Sequence, residues 1–270
     1  MTSAAAAVTA ADPAACGPLF AQRGGEFVPA AHARGPWGGE RLHGAAVALL
    51  VTQRARQLIA SERALARLTV DFLRPVPAAP LRLMASLVRS GRSFDVVDAL
   101  ITADGTPVAR GSALYLRTER LRLPDGLPDE PPPPPPHAGV RLRDPGEAVS
   151  FNRDAVEVRL VDDPSNPAGG TAWVRLRCPV LADAAVPPEQ RAVAAAEFGY
   201  GAGATLAPDL YTCVNVDLTV HLHRPPTGQW IALRAVTRTG PAGGGAAEAA
   251  LLDSRGRIGG AVQTLLVSEA

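Results

Sequence analysis

From Leu68 onward the chain repeats itself 150 residues later. Leu68-Thr69-Val70, three further residues and Arg74-Pro75 return as Leu218-Thr219-Val220, three residues and Arg224-Pro225. The turn Ala103-Asp104-Gly105 returns as Asp253-Ser254-Arg255-Gly256, and each copy then runs apolar, over 113–116 and 264–267, to a glutamate. Two copies of one small unit in a single chain predict an intramolecular dimer. In such a pseudo-dimer one copy can keep a chemical group that the other has lost, so differences between the copies point at the chemistry.

The rest of the composition is compatible with this plan. A chain of 270 residues fits two units of about 100–130 residues around a shared core. An apolar fraction of 47% is enough to fill that core. No apolar run approaches the roughly 18 residues of a membrane span, so a soluble, cytoplasmic protein without a membrane partner is expected. All 27 basic residues are arginine and the formal net charge is +1, so no field favours nucleic acid. Cys16, Cys178 and Cys213 are odd in number and lack a CxxC spacing. They are expected to be idle or buried thiols, forming neither a disulfide framework nor a zinc site.

Breaks in the pattern divide the chain. Residues 1–16, Ala-rich and interrupted by Asp12-Pro13, are expected to be a disordered tail, 17–123 the first copy, 124–140 a linker and 141–270 the second copy. The linker holds six prolines, Pro131 to Pro136, expected to form a polyproline II rod outside any packed core. In the first copy the apolar segment 43–60 predicts a buried helix, preceded by a strand at 27–30 and followed by strands at 66–72, 81–89, 94–102 and 108–117. The second copy reads as a strand at 171–177, a helix at about 188–199, and strands at 214–222, 230–237, 246–252 and 258–267. Each copy is thus expected to wrap an antiparallel sheet around one helix.

Specific motifs extend this reading. Arg34-Gly35-Pro36-Trp37-Gly38-Gly39, His43-Gly44, Thr69-Val70-Asp71-Phe72-Leu73-Arg74-Pro75-Val76-Pro77 and Arg89-Ser90-Gly91-Arg92-Ser93 resemble the first half of double-hotdog thioesterases of the acyl-CoA thioesterase II type. Asn215-Val216-Asp217-Leu218-Thr219, Leu222-His223-Arg224-Pro225-Pro226, Gly228-Gln229-Trp230, Leu252-Asp253-Ser254-Arg255-Gly256 and Gln263-Thr264-Leu265 resemble the second. The resemblance implies an α+β double hotdog, two units forming a pseudo-dimer, that hydrolyses an acyl-CoA or acyl-carrier thioester without a cofactor and leaves a homo-oligomer open.

It also implies the site: an acidic residue on the second central helix, a Thr, Ser or Asn on the next strand and a Gln on the last. Those positions are Glu197, Asn215 and Gln263. A thioester is electrophilic already, so a carboxylate that takes a proton from water, with amides to orient that water, suffices. In the first copy the offset puts Leu65 opposite Asn215 and, counted from the later match, Ser112 opposite Gln263, and no carboxylate stands between His43 and Ala60. Only the second copy is expected to be active. Relatives carry Asp where Glu197 stands; the extra methylene displaces the carboxylate by about 1.5 Å, and misplacement of that order costs about 100-fold. A lyase is the alternative, with His43 abstracting and Glu197 donating a proton to dehydrate or cyclise a 3-hydroxyacyl or polyketide-type thioester. Simple acyl-thioester binding is another. His221 and His223 share a strand face but lack a third ligand nearby, and Arg74 and Arg224, matched in both copies, read as structural. Arg89 and Arg92 suit either a CoA phosphate or a solvated turn.

Overall fold

The computed structural model describes residues 16–37, 40–124, 126, 129–142, 148–162, 166, 168–182, 184, 186–204, 206–207 and 209–270. The tail expected over 1–16 lies, except for Cys16, outside the described residues. The apolar segment of the first copy forms α1 (Gly44–Gln57), with His43 as its N-cap. Every residue from Ala45 to Gln53 is buried, as a helix without a polar face requires. Arg56 closes its C-terminal end by donating to the carbonyls of Ala60, Ser61 and Arg63.

Around α1 lie β1 (Phe20–Arg23), β2 (Glu26–Pro29), β3 (Arg63–Phe72), β4 (Leu81–Ser90), β5 (Phe94–Ala103) and β6 (Thr106–Arg117). The second half adds β7 (Val140–Arg141), β8 (Val156–Leu160), β9 (Gly170–Leu176), α2 (Pro188–Ala196), α3 (Gly199–Gly203), β10 (Tyr211–Asn215), β11 (Asp217–Leu222), β12 (Trp230–Thr239), β13 (Gly244–Asp253) and β14 (Gly256–Glu269). The helix expected over 188–199 stops earlier, and a five-residue turn of helix, Phe151–Ala155, precedes β8. All strands join one antiparallel sheet in the order β1-β2-β4-β5-β6-β3-β11-β14-β13-β12-β9-β8-β7, with β10 also on β14.

The sheet is symmetric about its middle. At the β3–β11 seam Thr69 faces Thr219, its own repeat mate, and the two hydroxyls lie 3.3 Å apart. Residues 150 apart meet face to face only at a two-fold axis, so the pseudo-dimer axis passes here. One hydrophobic core runs through both halves, and Gln190 Nε2 donates to Gln53 Oε1 at 2.6 Å between α2 and α1. Arg74 and Arg224 occupy equivalent structural places: Arg74 donates to the Pro107 carbonyl and Arg224 to the Arg257 carbonyl, again 150 residues on. The second copy adds a partner, since Arg224 also binds both oxygens of the buried Asp253.

Three expectations need correction. Ser112 is not the mate of Gln263. Thr69 pairs with Ser112 and Thr219 with Val262, so the ladder register puts Ala113 opposite Gln263 and leaves Ser112 on the other face of the sheet. Two of the three cysteines are not thiols: Cys16 and Cys178 form a disulfide that ties the start of the first copy to the second. A ring nitrogen of His32 lies within 4.8 Å of both sulfurs. With the sulfurs bonded to each other, that group offers a cation one imidazole lone pair, not three ligands.

The proline segment, third, does more than span a gap. Pro133 is buried, the Trp173 indole donates to the Pro134 carbonyl at 2.7 Å, and the Arg257 amide donates to the Glu130 carbonyl at 3.0 Å. The Glu130 carboxylate meets Arg234 and Arg257. Trp173 belongs with Ala232 and Leu252 to a small apolar cluster apart from the main core. A polyproline chain has no internal hydrogen bonds, so its carbonyls are free to accept from a sheet surface.

Candidate active site

Glu197 caps the C-terminal end of α2, facing the start of α1. A Cβ added to Gly44 would lie 2.6 Å from Glu197 Oε2, so only glycine lets the first residue of α1 approach the carboxyl this closely. The carboxyl is 7% exposed. Asn215 Nδ2, at the end of β10, donates to Oε2 at 3.1 Å and more weakly to Oε1 at 3.3 Å. Gln263, 2% exposed on β14, reaches the same junction from the sheet. Its Nε2 donates to the Glu197 carbonyl at 3.3 Å and its Oε1 accepts from the Tyr200 amide at 3.1 Å. Gly199 leaves room for that amide, for a Cβ there would meet Gln263 Oε1 at 2.9 Å. The three residues expected from sequence thus come together, although Gln263 grips the backbone around Glu197 and not its carboxyl.

Burial dominates the electrostatics. It pushes the Glu197 carboxyl up to about 8; the Asn215 hydrogen bond opposes the shift and the charge of Asp217 adds to it. At neutral pH the group is therefore largely protonated, a reserve acid that becomes a base as its proton leaves.

His43 borders the site as the N-cap of α1, its Nδ1 accepting from the Ala45 amide at 3.1 Å. That bond places the proton of the neutral ring on Nε2, and burial lowers the ring's pKa to about 4. His43 is sandwiched by rings: Phe151 at 4.8 Å, with Phe198 and Trp37 each at 5.6 Å, all within 22° of parallel. Trp37, the outermost ring, is 65% exposed. Phe151 and the Tyr200 amide escaped sequence reasoning, because neither belongs to a motif or matches a repeat mate. Gly44 stood inside the His43-Gly44 motif, but nothing in the sequence set it against Glu197. Arg89 stacks on Phe94 at 4.1 Å beside its turn, and His223 makes a hydrogen bond with the Arg257 carbonyl.

In the first copy, Leu65 and Ala113 occupy the places of Asn215 and Gln263, both buried and apolar, and α1 carries no carboxylate. The buried Tyr115 ring follows on the same strand, its hydroxyl without a partner among the described residues.

Comparison with known proteins agrees with the two-unit plan. Residues 33–116 match the family model of the acyl-CoA thioesterase N-terminal domain and residues 124–267 that of the C-terminal domain. An acyl-CoA thioesterase II from Mycobacterium marinum superposes with a TM-score of 0.65 at 16% identity, over 84% of this chain and 89% of that one. A hot dog fold protein from Alicyclobacillus acidocaldarius gives 0.68 at 18% identity, over 92% and 95%. The tesB protein of Mycobacterium avium subs paratuberculosis gives 0.61 at 16%, over 92% and 95%. No curated protein matches the chain. With both domain models in order along one double-hotdog sheet, the chain belongs to the acyl-CoA thioesterase family and is a thioester hydrolase.

Proposed function

We propose that the protein hydrolyses acyl-CoA thioesters at one site, in the second copy, with Glu197 as the general base. The observation that carries this reading is the buried Glu197 carboxyl held by Asn215, with Gln263 fastening the Glu197 carbonyl and the Tyr200 amide just after it. As the carboxylate, Glu197 takes a proton from water while the water oxygen attacks the thioester carbonyl carbon. The carbon–sulfur bond then breaks, and the departing thiolate takes that proton, giving a free acid and a free thiol. Asn215 fixes the carboxylate, and the second N–H of the Gln263 amide is left to orient the water. The Gly44 amide, the first of α1, lies at the positive end of a helix and suits the charge that develops on the carbonyl oxygen.

Elimination fits the site less well. A proton abstractor needs a lone pair, and His43 has committed the one on Nδ1 to the Ala45 amide while Nε2 carries the proton. The test is thiol release over a panel of acyl-CoA and acyl-carrier-protein thioesters by wild type and Glu197→Gln. Free thiol from wild type, falling by about 100-fold or more in the variant, is expected. A fully active variant would show that Glu197 is not the base, and no thiol from any thioester would sink hydrolysis itself.

A further inference from the structure

The strand that carries Asn215 is broken where its repeat mate is continuous. In the first copy β3 runs through a bulge at Ala66, where Leu65 pairs with Tyr115 and Arg67 with Leu114. In the second copy the same place separates β10 from β11 at Val216. Asn215 pairs with Leu265, the mate of Tyr115, but the ladder resumes only later, as Thr219 with Val262. Thr264, the mate of Leu114, does not pair with Asp217 as Leu114 pairs with Arg67. Instead its amide donates to the Asp217 side chain, Oδ1, at 2.6 Å, while its carbonyl accepts from the Val216 amide at 3.0 Å. The Nε of Arg67, at the place of Asp217 in the first copy, has no partner among the described residues. A side chain has thus replaced a backbone rung at the residue next to Gln263 and two residues after Asn215. Local breaks of this kind re-aim a strand's side chains.

From this difference between the copies we infer that Asp217 is a positioning residue for the thioesterase site: its bond to the Thr264 amide holds open the strand break that turns Asn215 to Glu197 and fixes the stretch of β14 that carries Gln263. The inference rests on the proposed hydrolysis at Glu197. Asp217 has a second effect, because its negative charge disfavours ionisation of Glu197. The other titratable groups about the carboxyl are His43 at the start of α1, kept neutral by burial, and Tyr200 on α3, whose hydroxyl burial also holds in its neutral form. β10 presents the Asn215 amide and the Cys213 thiol, which hydrogen-bonds the Tyr200 hydroxyl, and β14 presents the Gln263 amide. Asp217 is therefore the charged neighbour that tunes the base.

Two variants separate the two effects. Asp217→Asn keeps an oxygen to accept from the Thr264 amide but removes the charge, whereas Asp217→Ala removes both. For Asp217→Ala, kcat should fall by at least about tenfold with KM within about threefold, and amide exchange at Thr264 should accelerate. Asp217→Asn should recover most of that kcat, protect the Thr264 amide as wild type does, and move the acid limb of the kcat profile to lower pH. Titration of the carbon-13-labelled Glu197 carboxyl should move the same way and, like Thr264 exchange, needs no turnover. Both therefore still test Asp217 if wild type releases no thiol and the hydrolase reading fails. An Asp217→Ala protein with wild-type kcat and Thr264 protection would overturn the inference, as would an Asp217→Asn protein as impaired as Asp217→Ala with an unmoved titration.

Discussion

Glu197 is a carboxyl group whose proton the fold retains at neutral pH, a property with consequences for stability and, in the proposed mechanism, for rate. Its ordinary value of 4.5 becomes about 8 in the folded chain. In the proposed mechanism the ionised form is the base, so kcat/KM should climb with pH through about 8 and level off above it. Stability runs the other way. Between pH 4.5 and about 8 the folded state binds more protons than the unfolded one, so stability falls as pH rises through that window. Glu197→Gln cannot ionise and should escape that loss. Its melting temperature relative to wild type should be higher at pH 9 than at pH 5, read by calorimetry at both. A pH-independent difference would mean that Glu197 is solvated. Asp253 shows the opposite arrangement: burial alone would push it up, yet hydrogen bonds from Arg224, the Arg255 amide and Thr227 hold it at about 2. Both carboxyls are buried, and their hydrogen-bond donors decide which one keeps its proton.

Among elements, the proline segment changed most between sequence and structure. Six prolines in a row say that no strand or helix forms there, and Pro135, at φ −64° and ψ 158°, has the extended polyproline conformation. They do not say what the extended chain lies against. Its carbonyls meet Trp173 and Arg257, and Glu130 meets two arginines, because the sheet face below offers donors and a small apolar cluster. Replacing residues 131–136 by a Gly/Ser segment of equal length should therefore leave a folded protein with a melting temperature lower by about 3–8 °C. Trp173→Phe should reproduce part of the drop. An unchanged melting temperature would restore the view that the segment supplies reach alone. The second helix was also legible only in part. Its apolar run 192–196 is plain, but the chain turns at Glu197, where Gln263, far along the sequence, binds the Glu197 carbonyl and the Tyr200 amide.

For the whole molecule, the cysteine pair joins the halves by a covalent link in addition to the β3–β11 seam. Cys16 and Cys178 are 162 residues apart, and Leu19 and Phe20 add backbone bonds to Pro179 and Val180 beside them. Closing so long a loop lowers the entropy of the unfolded chain and stabilises the fold by up to about 5 kcal/mol. Thiol titration of the unfolded, unreduced protein should find one thiol, Cys213, and three after reduction. Reduction should lower the melting temperature by about 5–15 °C, and Cys178→Ser should do the same without adding to reduction. Three thiols before reduction would mean that the bridge does not form in the purified protein.

Duplication, the two buried helices and most strands could be read along the chain, which also singled out Glu197, Asn215 and Gln263, three residues that the fold brings together. These are local matters of periodicity and motif, whereas the ladder places the axis between Thr69 and Thr219. The rest depends on contacts between residues far apart in the chain. A count along the chain cannot tell Ala113 from Ser112 as the mate of Gln263, because a shift of one residue turns a strand's side chains to the opposite face and only the ladder fixes the register. Spacing could not pair Cys16 with Cys178, since a disulfide needs proximity of a few ångströms that 162 residues of chain do not specify. Nor could composition reveal that Glu197 keeps its proton, a property of the water excluded by Phe72, Gly44 and the sheet when two distant halves close around it.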